Sequence, residues 1–278
     1  MTDGTGSAAR GRDTARPLSL AVAARGVFDL ALQGMVWSRR SLLMAILLGL
    51  PAAVSILYRV VPKAWVPSRL GGPDLYALIA VFYYVRNFLP LAALFYATAL
   101  IADEVEGRTL PYLLTRPIPR SAILLGKFAA YLTTTLTLTL PATVVTFFLL
   151  LTARGFAGLG ASVPDLFRDM GVMVLALLAY GALFTLLGVL LRRPVIPGLL
   201  FLFAWELIAN LPGYLPRFTI TVWLRSLMTH HPAEEGLAGL FAQTLPAGMC
   251  LGVLAALIAG FLGLSLWIFS TREYVLEQ

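Results

Sequence analysis

The chain has 278 residues, of which 59% are apolar and 13% charged, about half the charged share of a soluble domain. Its 21 Lys+Arg against 14 Asp+Glu give a net charge of +7, and Cys250 is the one cysteine. So few charges cannot cover so much apolar surface in water, which excludes an ordinary soluble enzyme, and a lone cysteine excludes an intrachain disulfide or a cysteine metal cluster. The basic residues stand at the ends of apolar runs without interleaved aromatics, a pattern that excludes nucleic acid as a partner.

Residues 1–17, MTDGTGSAARGRDTARP, lack apolar periodicity and are expected to form a disordered cytoplasmic tail. Residues 18–40 read as an interfacial amphipathic helix. At about 100° per residue, Arg25, Gly26, Asp29 and Gln33 share a quadrant, with Leu20, Val27, Phe28, Leu30, Ala31 and Met35 around the rest. Leu18, Val22 and Val36 intrude on the polar side, so an irregular extension of the first span is the alternative. Ser38-Arg39-Arg40-Ser41-Leu42-Leu43 looks like a twin-arginine export signal, but the run behind it is long enough to span and more follow. The arginines there read as an anchor for its cytoplasmic end.

A membrane-crossing helix needs about 20 apolar residues, and six runs qualify: 41–58, 75–101, 123–151, 170–191, 195–211 and 247–269. Each must be helical, because an isolated strand leaves its backbone groups unpaired in lipid. The expected fold is all-α and polytopic, with six transmembrane helices over 41–278 and lipid as solvent. An even number of spans puts both termini on one side. The tail, the 102–127 connection, the Arg192-Arg193 turn and the C-terminus carry 13 Lys/Arg, and the three opposite connections carry 7. The positive-inside rule therefore puts both termini in the cytoplasm.

The connection between the second and third spans parses as stop, short helix, stop, helix. Gly107 can cap the second span, and Thr109 can cap a new helix whose first turn tolerates Pro111. Pro117 and Pro119 end it after roughly two turns, with Leu110, Leu113 and Leu114 on one face. So short a helix must dock on something to persist. Asp103, Glu104 and Glu106 end one span while Arg116, Arg120 and Lys127 open the next, so charge can join the two helix ends. The alternative is a solvated loop whose charges only set topology.

This run, Asp103-Glu104-x-Glu106-Gly107-x-Thr109-Leu110-x-x-Leu113-Leu114-x-Arg116-Pro117-x-x-Arg120 followed by Leu124-Leu125-Gly126-Lys127, resembles the cytoplasmic loop of ABC-2 type permeases, the membrane subunits of ATP-binding-cassette exporters. The resemblance implies that the short helix is a coupling helix seated in a cleft of a separate ATPase subunit. It also implies two permeases, as a second copy or a paralogue, with alternating access between them in a bacterial inner membrane. ATP and magnesium would sit on the partner. The chain itself lacks the phosphate-cradling G-x-x-x-x-G-K-[ST] pattern: Gly126-Lys127 has Ser121 in place of the first glycine and Phe128 in place of Ser/Thr. No cofactor is therefore expected on this chain.

No residue set suggests catalysis or a metal. The adjacent His230-His231 would point about 100° apart on a helix, unlike metal-ligand spacing. The run Thr133-Thr134-Thr135-x-Thr137-x-Thr139 offers either packing contacts between spans or polar handles in a pathway, with Thr133 and Thr137 the pathway candidates. Segment 212–246 suggests short interfacial helices; the resemblance implies that Pro212, Pro216 and Pro232 are turns of a lid over the outer mouth, with a solvated loop the alternative. Arg86 and Glu206 are the charges placed well inside spans, about 22 Å and about 16 Å from their inner ends. An arginine can lean across the offset of about 6 Å. The expectation is that the second and fifth spans are neighbours and that this pair faces the pathway. The alternative has Arg86 snorkelling and Glu206 protonated in a packed interior. A secondary transporter and a noncatalytic membrane scaffold are the rival functions, the first needing intramembrane carboxylates and repeats.

Overall fold

The computed structural model describes residues 20–62, 71–106, 119–154, 159–191, 193–209, 215–229 and 246–271. The tail 1–17, the short loop helix with Gly107, Thr109, Leu110, Leu113, Leu114, Arg116 and Pro117, and His230-His231 lie outside the described residues.

Every regular element among the described residues is helical. Helix α1 (Leu20–Val36) leads into α2 (Arg39–Val60), which starts at a Ser38 cap whose side chain accepts from the Ser41 amide. The second span is one continuous helix in three pieces: α3 (Gly72–Leu78), a π-helical segment (Ile79–Phe88) and α4 (Leu89–Glu106). It opens three residues earlier than the apolar run suggests. Asp74 accepts a 3.0 Å hydrogen bond from the Gly71 amide, a polar N-terminal cap that apolar counting passes over. Next come α5 (Arg120–Leu151), α6 (Leu159–Leu190), α7 (Val195–Ala209), the short α8 (Ile220–Leu227) and α9 (Ala247–Thr271). Pro119, Pro194 and Pro246 precede α5, α7 and α9, where a missing amide proton is harmless.

Among the described residues, five helical stretches are long and apolar enough to cross a membrane: Arg40–Val60, Gly72–Leu100, Arg120–Leu151, Ser162–Leu190 and Ala247–Thr271. The expected fifth crossing, 195–211, is different. Helix α7 has 15 residues, about 22 Å at 1.5 Å per residue, against a hydrocarbon core of about 30 Å. The fourth crossing also departs from expectation, since α6 begins at Leu159 rather than at residue 170. Asp165, Arg168 and Asp169, which precede the expected start, are helical.

Helix α6 is the centre of the bundle, with 78% of its span buried, whereas α2 and α9 are 28% and 17% buried and turn most of their surface outward. Its most extensive contact is with α4. Ala92, Ala93 and Ala97 of α4 are buried there, as are Ala176, Ala179 and Ala182 of α6. A Cβ on Gly188 would lie 2.9 Å from the Thr98 carbonyl oxygen, so the two backbones approach as only small residues permit. Helix α7 packs on α4, with Gly198 against Leu94 and Phe184, so the second and fifth elements are neighbours.

Helix α8 is not the surface helix expected in 212–246. It sits against α6, α9 and the π segment, with Ile220, Thr221, Trp223, Leu224 and Leu227 buried. Thr221 shares a 2.8 Å hydrogen bond with the Tyr180 hydroxyl at one end, and at the other Arg168 Nε donates to the Leu227 carbonyl at 2.7 Å. It therefore runs antiparallel to α6 inside the bundle. Its alternation of apolar residues with Thr, Arg and Ser had suggested an interface. The protein supplies those polar partners internally, which lets the helix sink.

Candidate functional site at the connection between the second and third spans

The loop motif lies between two helices whose ends the structure fixes in place. Helix α5 begins at Arg120 and carries Gly126 and Lys127 about two turns on. Lys127 Nζ donates to the Leu100 carbonyl of α4 at 2.7 Å, joining the second and third spans directly. Arg120 Nη1 donates to the Ser270 carbonyl at 3.3 Å, in the last turn of α9. That places a cation at a helix C-terminus, where the macrodipole favours it. Lys127 and Arg120 thus reach backbone carbonyls of two other helices. Glu104 and Glu106 belong to the last turn of α4 by backbone, and their side chains lie outside the described set.

Gly126 has a different task. A Cβ there would lie 2.5 Å from the Ala24 carbonyl oxygen and 3.1 Å from the Val27 side chain, so glycine is what lets α1 lie on α5. Ala23 and Val27 are buried on that side. Arg25, Gly26, Asp29 and Gln33 are exposed, as their quadrant required. Leu30 is 72% exposed beside them, an apolar side chain that headgroup-depth lipid can cover. The elbow from α1 to α2 is tied in turn to α4. Ser41 Oγ donates to the Met35 carbonyl at 2.5 Å and shares a 2.6 Å hydrogen bond with the Tyr96 hydroxyl. Helices α1, α2, α4, α5 and α9 therefore meet in one hydrogen-bonded collar around the loop.

Gly126→Leu is expected to lift α1 off α5, at the roughly 1–3 kcal/mol typical of overpacking. Gly252→Leu, where a Cβ meets nothing within 4 Å, should be silent. Thermal unfolding midpoints of the two variants in detergent check this.

The mid-membrane candidates separate. Arg86 lies fourteen residues from either end of Gly72–Leu100, about 21 Å from both. Its guanidinium stands 5.4 Å from the Phe82 ring centroid. A cation so far from both helix ends is expected to have protein or water about it. Glu206 is in α7, beside the second span, with its side chain outside the described set. Thr133 and Thr137 are exposed on α5, and their hydroxyls donate to the Ala129 and Thr133 carbonyls of their own helix at 2.9 and 2.7 Å. The run is self-satisfied rather than bonded across helices. The α5 threonines that do reach other helices lie further on: the Thr143 hydroxyl donates to Met173 Sδ of α6 at 3.3 Å, and Thr146 shares a 3.4 Å hydrogen bond with the Tyr84 hydroxyl of the π segment.

Asp169 was missed by sequence. It is fully buried in α6 beside Tyr76 of α3, with Tyr84 and Asp165 close to that tyrosine. The readable signal was its phase: Asp169, Met173, Tyr180 and Phe184 follow the helical repeat on the buried face, and all four are buried. Asp169→Leu deprives Tyr76 of a polar neighbour and is expected to destabilise by about 1–3 kcal/mol, with Asp169→Asn milder. Denaturation midpoints of the two variants test it.

Among the described residues, an all-helical bundle with five membrane-length helices and a small-residue core is the build of a multi-pass membrane protein. A family model described as an ABC-2 family transporter protein matches residues 52–274, and the chain belongs to that family. It is also similar to the "Probable ABC transporter permease protein NosY" of Stutzerimonas stutzeri, 42% identical over 86 residues. That match covers 28% of this chain and 31% of the relative's length.

Proposed function

We propose that this chain forms the translocation pathway of an ATP-driven exporter in a bacterial inner membrane and is driven by a separate ATPase docked on residues 107–118. The observation that carries the reading is the collar. The loop with Gly107, Thr109, Leu110, Leu113, Leu114, Arg116 and Pro117 joins α4 to α5, and Lys127 and Arg120 tie these to each other and to α9. Load on the loop reaches several spans at once. ATP and magnesium belong to the partner, both termini face the cytoplasm, and a second copy or a paralogue completes the pathway. Helix α7 with the residues after it makes the sixth crossing. Arg86, Glu206, Thr133 and Thr137 face the pathway.

The rival with an observation behind it is a secondary transporter, since Asp169 adds a buried carboxylate to Glu206. Reconstitution with candidate ATPases separates the two. Vanadate-sensitive, ATP-dependent export supports the proposal, while transport driven by an ion gradient without nucleotide overturns it.

A further inference from the structure

The second span contains an uncommon element. Ile79–Phe88 is π-helical for ten residues, whereas π turns are rare and mostly single. Its cause is legible two residues downstream. Pro90 is buried inside the same continuous helix. In an α register its missing amide leaves the Arg86 carbonyl without a partner, and its ring collides with that carbonyl. The wider register avoids this: the Leu89 amide donates to the Tyr84 carbonyl, five residues back. Asn87 Nδ2 also donates to the Phe82 carbonyl, at 2.6 Å.

The two halves on either side lean mainly on different neighbours, although Tyr76 of the outer half also lies beside Asp169 of α6 and Lys127 of α5 also reaches the inner half. The outer half packs on α5, with the Tyr76 and Phe147 rings edge to face at 5.1 Å. The inner half packs on α6, and Lys127 and Tyr96 tie it into the collar. One turn changing from the i→i−5 to the i→i−4 register adds about 1.5 Å of length and about 100° of rotation between the halves.

We infer that Ile79–Phe88 is a register switch, converting movement at the inner collar into rotation of α4 against a stationary outer half. This rests on the proposed ATPase drive for its biological role. The rotation itself is a property of this chain alone. A helix stepping between two packed registers gives discrete states where a rigid tilt would not.

Pro90→Ala restores the amide and removes the ring, so the α register becomes available. In a Cys250→Ala background, single cysteines at residues 91–99, at Leu78 and at Asp74 are labelled with a maleimide, with and without Pro90→Ala. The switch predicts that the accessibility pattern over 91–99 moves by one residue while Asp74 and Leu78 label as before. An unchanged pattern, or equal changes in both halves, overturns it, and this arm needs no ATPase. The same cysteines in the Pro90 protein, resting and vanadate-trapped with its ATPase, should show the same half-restricted shift, and this arm decides the matter if Pro90→Ala does not fold. If no ATPase binds, the proposed function fails and labelling of the Pro90→Ala chain still judges the switch. In the assembled complex, Pro90→Ala should hydrolyse ATP without transporting. Transport at the normal rate overturns the switch.

Discussion

Leu113→Asp will leave the protein in the membrane and abolish transport. The position follows α4 and precedes α5, outside every membrane-length helix, so a carboxylate there meets water and insertion is undisturbed. In the proposed coupling helix it changes the apolar face that Leu113 would share with Leu110 and Leu114, the surface by which so short a helix would hold a partner. A charge buried against an apolar cleft without a counter-ion costs several kcal/mol, about a thousandfold or more in affinity. The ATPase should therefore be lost on purification. A Leu113→Asp protein that keeps its ATPase and transports normally would show that the loop does not couple.

The charge cycle at mid-membrane has the next largest effect. Arg86→Glu places a carboxylate at the midpoint of a 29-residue apolar span, where an unpaired charge costs at least about 2.5–3.5 kcal/mol. It also removes the cation from the Phe82 ring. Glu206→Arg does the reverse in α7, which packs on the second span. Each single change should cut transport or yield severely, and the double swap should recover part of the loss, since interacting charges are not additive. Strictly additive damage would separate the two residues. Transport assays and membrane yield of the four proteins read this out.

The parts of the fold that lipid dictates were legible as sequence. Membrane-length apolar runs had to be helices, and the α1 quadrant of Arg25, Gly26, Asp29 and Gln33 had to face outward. The inner site was legible as a motif, but not the mechanics of its residues. Spacing suggests that Lys127 and Arg120 answer the acids of α4. Their described hydrogen bonds go to carbonyls of Leu100 and Ser270, partners that only the packing of α4 and α9 on α5 reveals. Gly126 looked like a remnant of a phosphate loop and is a seat for α1.

Other features hid behind charge and proline. Asp165, Arg168 and Asp169 look like a loop because hydropathy averages them in, while the helical phase of Asp169 with Met173 and Tyr180 carries the truer signal. Helix α8 was unreadable because Thr221 finds its partner in Tyr180 of α6 and Ser226 finds its own in the Val222 carbonyl, contacts that the sequence pattern does not show. The π segment had its sign in Pro90, which counting apolar residues treats as one more tolerated proline in a span.

The most direct measurement of the central claim is a cross-link. Leu113→Cys, made in a Cys250→Ala background, is treated with a short bifunctional thiol–amine reagent in membranes holding the candidate ATPase, beside Asp74→Cys at the opposite end of the second span. The account predicts a permease–ATPase product from residue 113 and none from residue 74. A product from residue 74, or none from residue 113 while ATP-driven transport proceeds, would contradict it.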